Sequence, residues 1–489
     1  MSVYTTKEGF TYSPEKGLQS GLATEGAIRP LSSFASKSNA RPFDVIVIGA
    51  GYAGLTAARD LTLAGKSVLL VEGRDRIGGR TWTSQVEGER FEMGGTWIHQ
   101  TMGYVWREVQ RYGLDRRLKY TPNEDFPDYA FNKTVFNGTT LVEPVQPNFE
   151  MLESAFKRFV DVDGKLNATI MPLPTQVTHG PQVNEDLVRH YDQYSIADRI
   201  AEVRAKNICS ERELAYLIPW IVLSWGNEPS KCSLLELIKW ARLGENSFGY
   251  LSSKLWFWKF ADGQSHFARC LFEEARSSDN LSYSFETLVS KITDRHGHVE
   301  VATNKGTWKA SKVICTIPIT VAAKVQFEPP LSKLRQEAFA VKHVGQGHKI
   351  ASIFDKSAFR SGVWNVYDER NPPKLAAAFG DQLFENGNTS VVAFGAANSV
   401  HELPSQDPTR IKRWMTAIDP EFEEHYKGSI WHEWISDELS EGHWCMSGPG
   451  WYTTYLRELQ KPHGNVEFAS GAAYKITQEL RSRPQSSRL

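Results

Sequence analysis

The chain has 489 residues, 56 of them Lys or Arg and 57 Asp or Glu, for a formal net charge of −1. A balance this close to neutral argues against nucleic acid as a partner and against a polybasic membrane anchor. The length suits about two to four domains around a sizeable core. No apolar run approaches membrane length, and the five cysteines are scattered without a C-x-x-C pair, so no disulfide framework and no metal site is expected.

Residues 1–42 are rich in Ser, Gly, Ala and Lys with no sustained period, and are read as an extended N-terminal arm. The arm begins polar, with Lys7, Glu8, Glu15 and Lys16, rather than with the apolar core of a secretory signal. A soluble, intracellular protein is therefore expected, and the sequons at Asn132, Asn137 and Asn167 carry no weight.

The pattern then changes at Asp44-Val-Ile-Val-Ile-Gly49-Ala-Gly51-Tyr-Ala-Gly54. Val45 to Ile48 is an unbroken β-branched run, as a buried parallel strand requires. In such a strand–turn–helix unit, Gly49 permits the tight turn and Gly51 lets backbone approach a pyrophosphate. Gly54, after Ala53, lets the helix pack close to the strand. The helix from Gly54 to Ala64 would point its amino end at the phosphates. A second strand, Ser67 to Val71, delivers Glu72 to the adenosine ribose hydroxyls. Beyond it lies Gly73-Arg74-Asp-Arg76-Ile-Gly78-Gly79-Arg80, where Arg76 and Arg80 are candidates for neutralising phosphate charge.

Arg76-x-Gly-Gly-Arg80 and the later Glu92-Met-Gly94-Gly95-Thr96-Trp97-Ile98-His99 resemble the FAD-dependent amine oxidases. In that family the first loop wraps the pyrophosphate and the second lies against the flavin. The resemblance extends from about Phe43 to the end and is closest to fungal monoamine oxidases. It is carried also by Val105-Trp-Arg-Glu108, Phe260-x-Asp-Gly-Gln-Ser265 and Cys315-Thr-Ile-Pro318. It implies an α/β fold, with a discontinuous Rossmann-like FAD-binding domain of glutathione-reductase type and an inserted α+β substrate domain. Residues 43–120, 255–330 and 432–489 would form the first, and 121–254 and 331–431 the second. Gly94 and Gly95 would avoid collision with the flavin ring, and the backbone of Val289 would meet the adenine. His99 is taken as structural.

Within the first substrate block, Leu214, Leu217, Ile218, Ile221 and Trp225 mark a helical apolar face, with a kink or break expected at Pro219. The stretch Asp262 to Leu271 reads as a glycine-led turn into a helix. Short strands follow at Leu281 to Phe285, Val289 to Ile292, His298 to Thr303 and Lys312 to Pro318. In the second block, runs from Lys349, Lys374 and Ser390 to Phe394 alternate like sheet.

Family chemistry would oxidise an amine carbon by passing hydride equivalents to the flavin, with molecular oxygen as the final acceptor and hydrogen peroxide as a product. Lys349 matches the family's lysine near the flavin, and Trp444 the first member of an aromatic pair around the amine. Phe394 is a further substrate-side candidate. His443 stands where some relatives carry a flavin-linking cysteine, and Cys445 lies on the wrong side of Trp444, so non-covalent FAD is expected. After the last strand, Ser470 runs straight into Gly471-Ala-Ala-Tyr. The resemblance implies that several turns' worth of chain are missing there, including the second aromatic, so low activity is expected of the chain as written. A small primary amine is the leading substrate. A polyamine oxidase, an L-amino-acid oxidase or an impaired FAD-binding protein is the alternative. The last three residues, Ser487-Arg488-Leu489, fit a peroxisomal import tripeptide read by its receptor. Homo-oligomerisation is left open.

Overall fold

The computed structural model describes residues 2–34, 42–121, 131–173, 183–256, 258–395 and 402–470. Two large sheets organise them. The first has eight strands, and its parallel part runs Leu281–Ser284, Val68–Val71, Phe43–Ile48, Gly306–Cys315. Val466–Phe468 pairs in parallel with the far half of Gly306–Cys315. The near half of that long strand turns antiparallel to His298–Thr303, which pairs with Val289–Arg295. Ile46, Val47, Val68, Leu69 and Val71 have no exposed surface, as strands covered on both faces require. Helix Tyr52–Leu63 and helix Gln264–Arg276 pack on one face through Leu55, Ala58, Phe267, Ala268 and Leu271.

The second sheet has nine strands in the order Thr139–Pro144, Phe131–Phe136, Gly362–Tyr367, Leu375–Leu383, Thr389–Gly395, Lys349–Phe354, Tyr426–Trp431, Phe10–Ser13, Gly17–Ser20. Helices between Val145 and Trp256 share a core centred on Phe156, Phe159, Leu217, Ile221 and Trp225. Together these are the discontinuous Rossmann-like fold and its inserted α+β layer. No described helix is long and apolar enough to cross a membrane.

Two sequence expectations are corrected. Helix Glu211–Trp225 runs through Pro219 without interruption, opened by a Ser210–Glu213 capping box and closed by left-handed Gly226. Burial of every residue from Leu214 to Trp225 outweighs the hydrogen bond that proline removes. The described part of residues 1–42 is also no free arm. Phe10 stacks on Trp431 at 5.5 Å, so the hairpin 10–20 extends the second sheet, and Leu22 is buried against the core containing Trp82. Isolated aromatics in a polar segment carry no period, which is why composition alone misread it.

The same segment is tied to helix Gln264–Arg276 by His266, whose Nδ1 lies 3.2 Å from Glu25 Oε2. A hydrogen bond with Cys270 and the Glu25 carboxylate raise the His266 pKa from 6.5 to about 9. The folded state thus favours the imidazolium. Its stabilisation is complete below pH 6.5 and lost as pH rises through about 9. Thermal unfolding midpoints should fall across that window in the wild type, and the fall should be smaller in His266→Gln. Parallel profiles for the two proteins would contradict the assignment.

Candidate active site

At the carboxyl ends of the parallel strands the sheet opens into a cleft of about 430 Å³. Its floor is the glycine turn. Gly49 adopts φ +100°, and a Cβ there would lie 2.4 Å from Thr316 Oγ1. A Cβ on Gly54 would sit 1.8 Å from the Gly49 carbonyl oxygen, so Gly54 serves helix packing and does not line the cleft. Gly51 differs from both. A Cβ there would meet nothing nearer than Gly79 Cα at 3.9 Å. The protein tolerates a side chain at Gly51, but the cleft would be filled by it.

Gly51 is the N-cap of helix Tyr52–Leu63, which has no side-chain cap and no acidic residue in its first turn. Its amino end is thus left to hold an anion from outside the chain. Arg80 adds a half-buried cation. Within the described residues its Nη1 reaches the His443 carbonyl and lies 3.5 Å from His343 Nε2, and no carboxylate is within ion-pair range. Burial lowers the Arg80 pKa. A half-buried guanidinium with no carboxylate partner among the described residues, beside an uncapped helix, fits a pyrophosphate.

The other two arginines are committed. Arg74 lines the cleft but forms a bidentate pair with Asp437 at 2.8 and 2.9 Å. Arg76, expected at the phosphates, has no exposed surface and turns instead to Glu8 and onto the Trp82 ring at 4.6 Å. Glu72 is in the cleft wall as expected. Its oxygens accept from the Ala50 and Arg74 amides at 2.6 and 2.9 Å, so it also anchors the loop. Burial raises its pKa against those two bonds.

Gly73, Gly78 and Gly79 line the same cleft, as do Ala53 and, at its far end, Val289 beside Thr287 and Leu288. Gly94 and Gly95 also line it, and protein packing constrains both. A Cβ on Gly94 would lie 2.0 Å from the Arg80 carbonyl oxygen, and one on Gly95 would lie 2.5 Å from Thr81 Cγ2. The chain's own packing demands both glycines.

Lys349 and Trp444 form the other end of the cleft. Lys349 is 8% exposed, which excludes a solvated strand lysine. Its ammonium donates to Gly94 O at 2.7 Å and to Thr96 Oγ1, and lies 5.5 Å from the Trp97 ring centre. Burial lowers its pKa, against the pull of Glu92 and Asp381, and burial raises that of Glu92. Trp444 donates Nε1–H to Ser224 O at 2.7 Å and stacks on His443 at 3.7 Å. Behind them Trp97, Phe379 and Phe394 form an aromatic cluster with centroids 5.7 to 6.2 Å apart. Phe394 meets Trp444 at 6.1 Å. Thr96, Trp97 and Phe394 therefore back the cleft and do not line it. His99 pairs locally with Thr101, as a structural residue does.

Phe379, Trp434 and Thr316 were not singled out from the sequence. Phe379 lies on an apolar strand that gave no sign of which face is inward. Trp434 lines the cleft while donating to Met93 O at 2.8 Å. Thr316 lay within the recognised Cys315-Thr-Ile-Pro318 turn. The segment after Ser470 and the tripeptide at Ser487 lie outside the described residues, although Ala469 and Ser470 still line the cleft.

The chain was compared with known proteins. The family described as flavin containing amine oxidoreductase matches residues 52–474. A pseudooxynicotine dehydrogenase from Pseudomonas sp is 28% identical over 427 residues, covering 87% of this chain and 81% of that protein. A probable flavin-containing monoamine oxidase A from Dictyostelium discoideum is 22% identical over 449 residues, 87% of this chain and 91% of that one. Among solved structures, putrescine oxidase bound to putrescine superposes with a TM-score of 0.67 at 19% identity, over 90% of this chain and 96% of that one. Cyclohexylamine oxidase from Brevibacterium oxydans gives 0.68 at 18% identity, over 90% and 97%.

The contrast between two glycines is testable. Gly51→Val should fold and lose retained flavin on gel filtration, because its side chain enters the cleft. Gly54→Ala should instead lower the yield of folded protein. Flavin retained by Gly51→Val would show that the turn does not contact the cofactor.

Proposed function

This chain belongs to the flavin-containing amine oxidoreductases and is an FAD-dependent amine oxidase; from that premise we propose that its substrate is a small, apolar primary amine. Bound FAD supplies the acceptor for the hydride equivalents leaving the amine carbon, and oxygen, reduced to hydrogen peroxide, would restore it. Gly51, the helix amino end and Arg80 would hold the pyrophosphate. Trp444 and the cluster behind it would orient the amine and exclude water, and low polarity there favours the reactive neutral amine over the ammonium. Lys349 would stay fixed by Gly94 and Thr96, presenting its ammonium beside the reacting end.

The observation that carries the substrate class is the distribution of charge along the cleft. Its carboxylates, Glu72 and Glu438, lie with Gly73, Leu439 and Leu288 at the end away from Trp444. Nothing beside Trp444 in the described cleft offers a carboxylate for a second ammonium, as a polyamine would want. Its arginines, Arg74 and Arg80, belong to the glycine loop, which disfavours an amino-acid carboxylate. Flavin held by these contacts would be non-covalent, since Cys445 has no place on the His443 side of Trp444.

The sequence after Ser470 supports a further proposal, that an aromatic-bearing loop has been lost and turnover is slow. Anaerobic bleaching of the flavin by amylamine or benzylamine tests both. The chain as written should bleach slowly. A chimera with a fungal monoamine oxidase loop between Ser470 and Gly471 should bleach about a hundredfold faster. Lys349→Met in that chimera should lose about two orders of magnitude while keeping FAD. Equal rates with and without the loop would refute the loss. Bleaching by spermine or an L-amino acid but not by amylamine would refute the substrate class. Peroxisomal import through Ser487-Arg488-Leu489 is also proposed, and a fluorescent fusion at the amino end should become cytosolic when those residues are removed.

A further inference from the structure

The arginine loop beneath the cleft is held from an unexpected direction. Glu8, in the N-terminal segment, places Oε2 2.5 Å from Arg76 Nε and pairs through Oε1 with Arg74. Its backbone is fixed by a bond from Leu22 N to Glu8 O at 3.2 Å, and the strand Phe10–Ser13 follows directly on the second sheet. Arg76 in turn donates Nη1 to the Gly79 carbonyl at 2.7 Å. Gly79 is left-handed at φ +60°, and a Cβ there would lie 3.2 Å from Gly51 Cα. A continuous path of direct contacts therefore joins Glu8 to the glycine floor on which the cofactor must lie.

The charge count makes that path consequential. Arg74 and Arg76 are 5% and 0% exposed in their side chains, and their direct ion-pair contacts among the described residues are with two carboxylates, Glu8 and Asp437. Asp437 bonds Arg74 directly and His432 Nε2 at 2.7 Å, leaving Glu8 as the carboxylate in contact with Arg76. Oxygens of Glu8 and Asp437 and a nitrogen of His432 come within 4.8 Å of one another, a spacing compatible with a metal. The two guanidinium groups already supply the positive charge there, so no metal is needed. Removing Glu8 would leave buried Arg76 without its contacting carboxylate and dependent on the more distant charges of Asp437, Glu72 and Asp75, and breaking a buried pair by removing one partner is costly.

We infer that Glu8 is a positioning residue for the cofactor: through Arg76 it fixes the Gly79 turn, so that FAD affinity depends on a carboxylate supplied by the N-terminal segment. The inference rests on the proposed placement of the pyrophosphate at Gly51, the helix amino end and Arg80, with Gly79 packed against Gly51. It is tested with Glu8→Gln, with the milder Glu8→Asp, and with Lys16→Ala as a control in the same hairpin, since among the described residues Lys16 pairs with exposed Glu87. Titration of each apoprotein with FAD gives Kd, and thermal unfolding with and without FAD gives the shift due to binding.

Glu8→Gln should raise the FAD Kd by at least about tenfold and shrink the FAD-induced rise in Tm. Glu8→Asp, too short to bridge both arginines, should fall between it and the wild type, and Lys16→Ala should match the wild type. If Glu8→Gln does not fold, Glu8→Asp carries the same test. A Kd within about twofold of the wild type, with only the Tm of the apoprotein lowered, would make Glu8 merely structural and overturn the inference. A wild-type chain that takes up no FAD would overturn the placement of the pyrophosphate as well.

Discussion

The cleft floor depends on a close approach of backbone to backbone, where a Cβ added to Gly79 would lie 3.2 Å from Gly51 Cα. Two chain segments meet there, and under the proposed placement a dinucleotide lies across both. The surrounding structure follows from keeping them together. The buried strand Phe43–Ile48 and its parallel neighbours present the first turn, and Gly54 presses the helix onto that strand. The arginine loop presents the second turn, and it needs its own scaffold because loops lack the ladder that fixes a strand.

That scaffold is electrostatic, and its partition of charges separates structural from functional arginines. Arg74 and Arg76 are balanced by Asp437 and Glu8, so they stiffen the loop. Arg80, four residues on, has carbonyl and imidazole contacts and, among the described residues, no carboxylate, so its charge is available to a ligand. A second balanced group lies at the other end, where Lys259 meets Asp381 at 2.6 Å and Lys349 is in the field of Glu92. Burying such groups is expensive unless they are matched. Matching them in clusters allows an apolar aromatic wall to stand immediately beside charged residues.

Much of this was legible because the decisive residues are close in sequence. A β-branched run, three glycines and Glu72 lie within about thirty positions, and local spacing reports strand, turn and helix directly. The reasons behind individual residues were less legible. Gly94 and Gly95 also have to clear Arg80 and Thr81, which only folding brings close. Arg76 reads like Arg80 in sequence, and Glu8 decides between their roles from 68 residues away. Phe379 joins the aromatic wall because two strands pair in one register, which an apolar strand without alternation cannot announce. The polar N-terminal segment hid its contribution for the opposite reason, being anchored by single residues and not by a repeating face.

The visible absorption of the purified protein tests the central claim most directly. After incubation with FAD and gel filtration, the account predicts about one flavin per chain, released into the supernatant when the protein is precipitated with acid. A colourless protein after exposure to excess FAD would contradict it, because the cleft, the glycine floor and the unpaired Arg80 would then hold no dinucleotide.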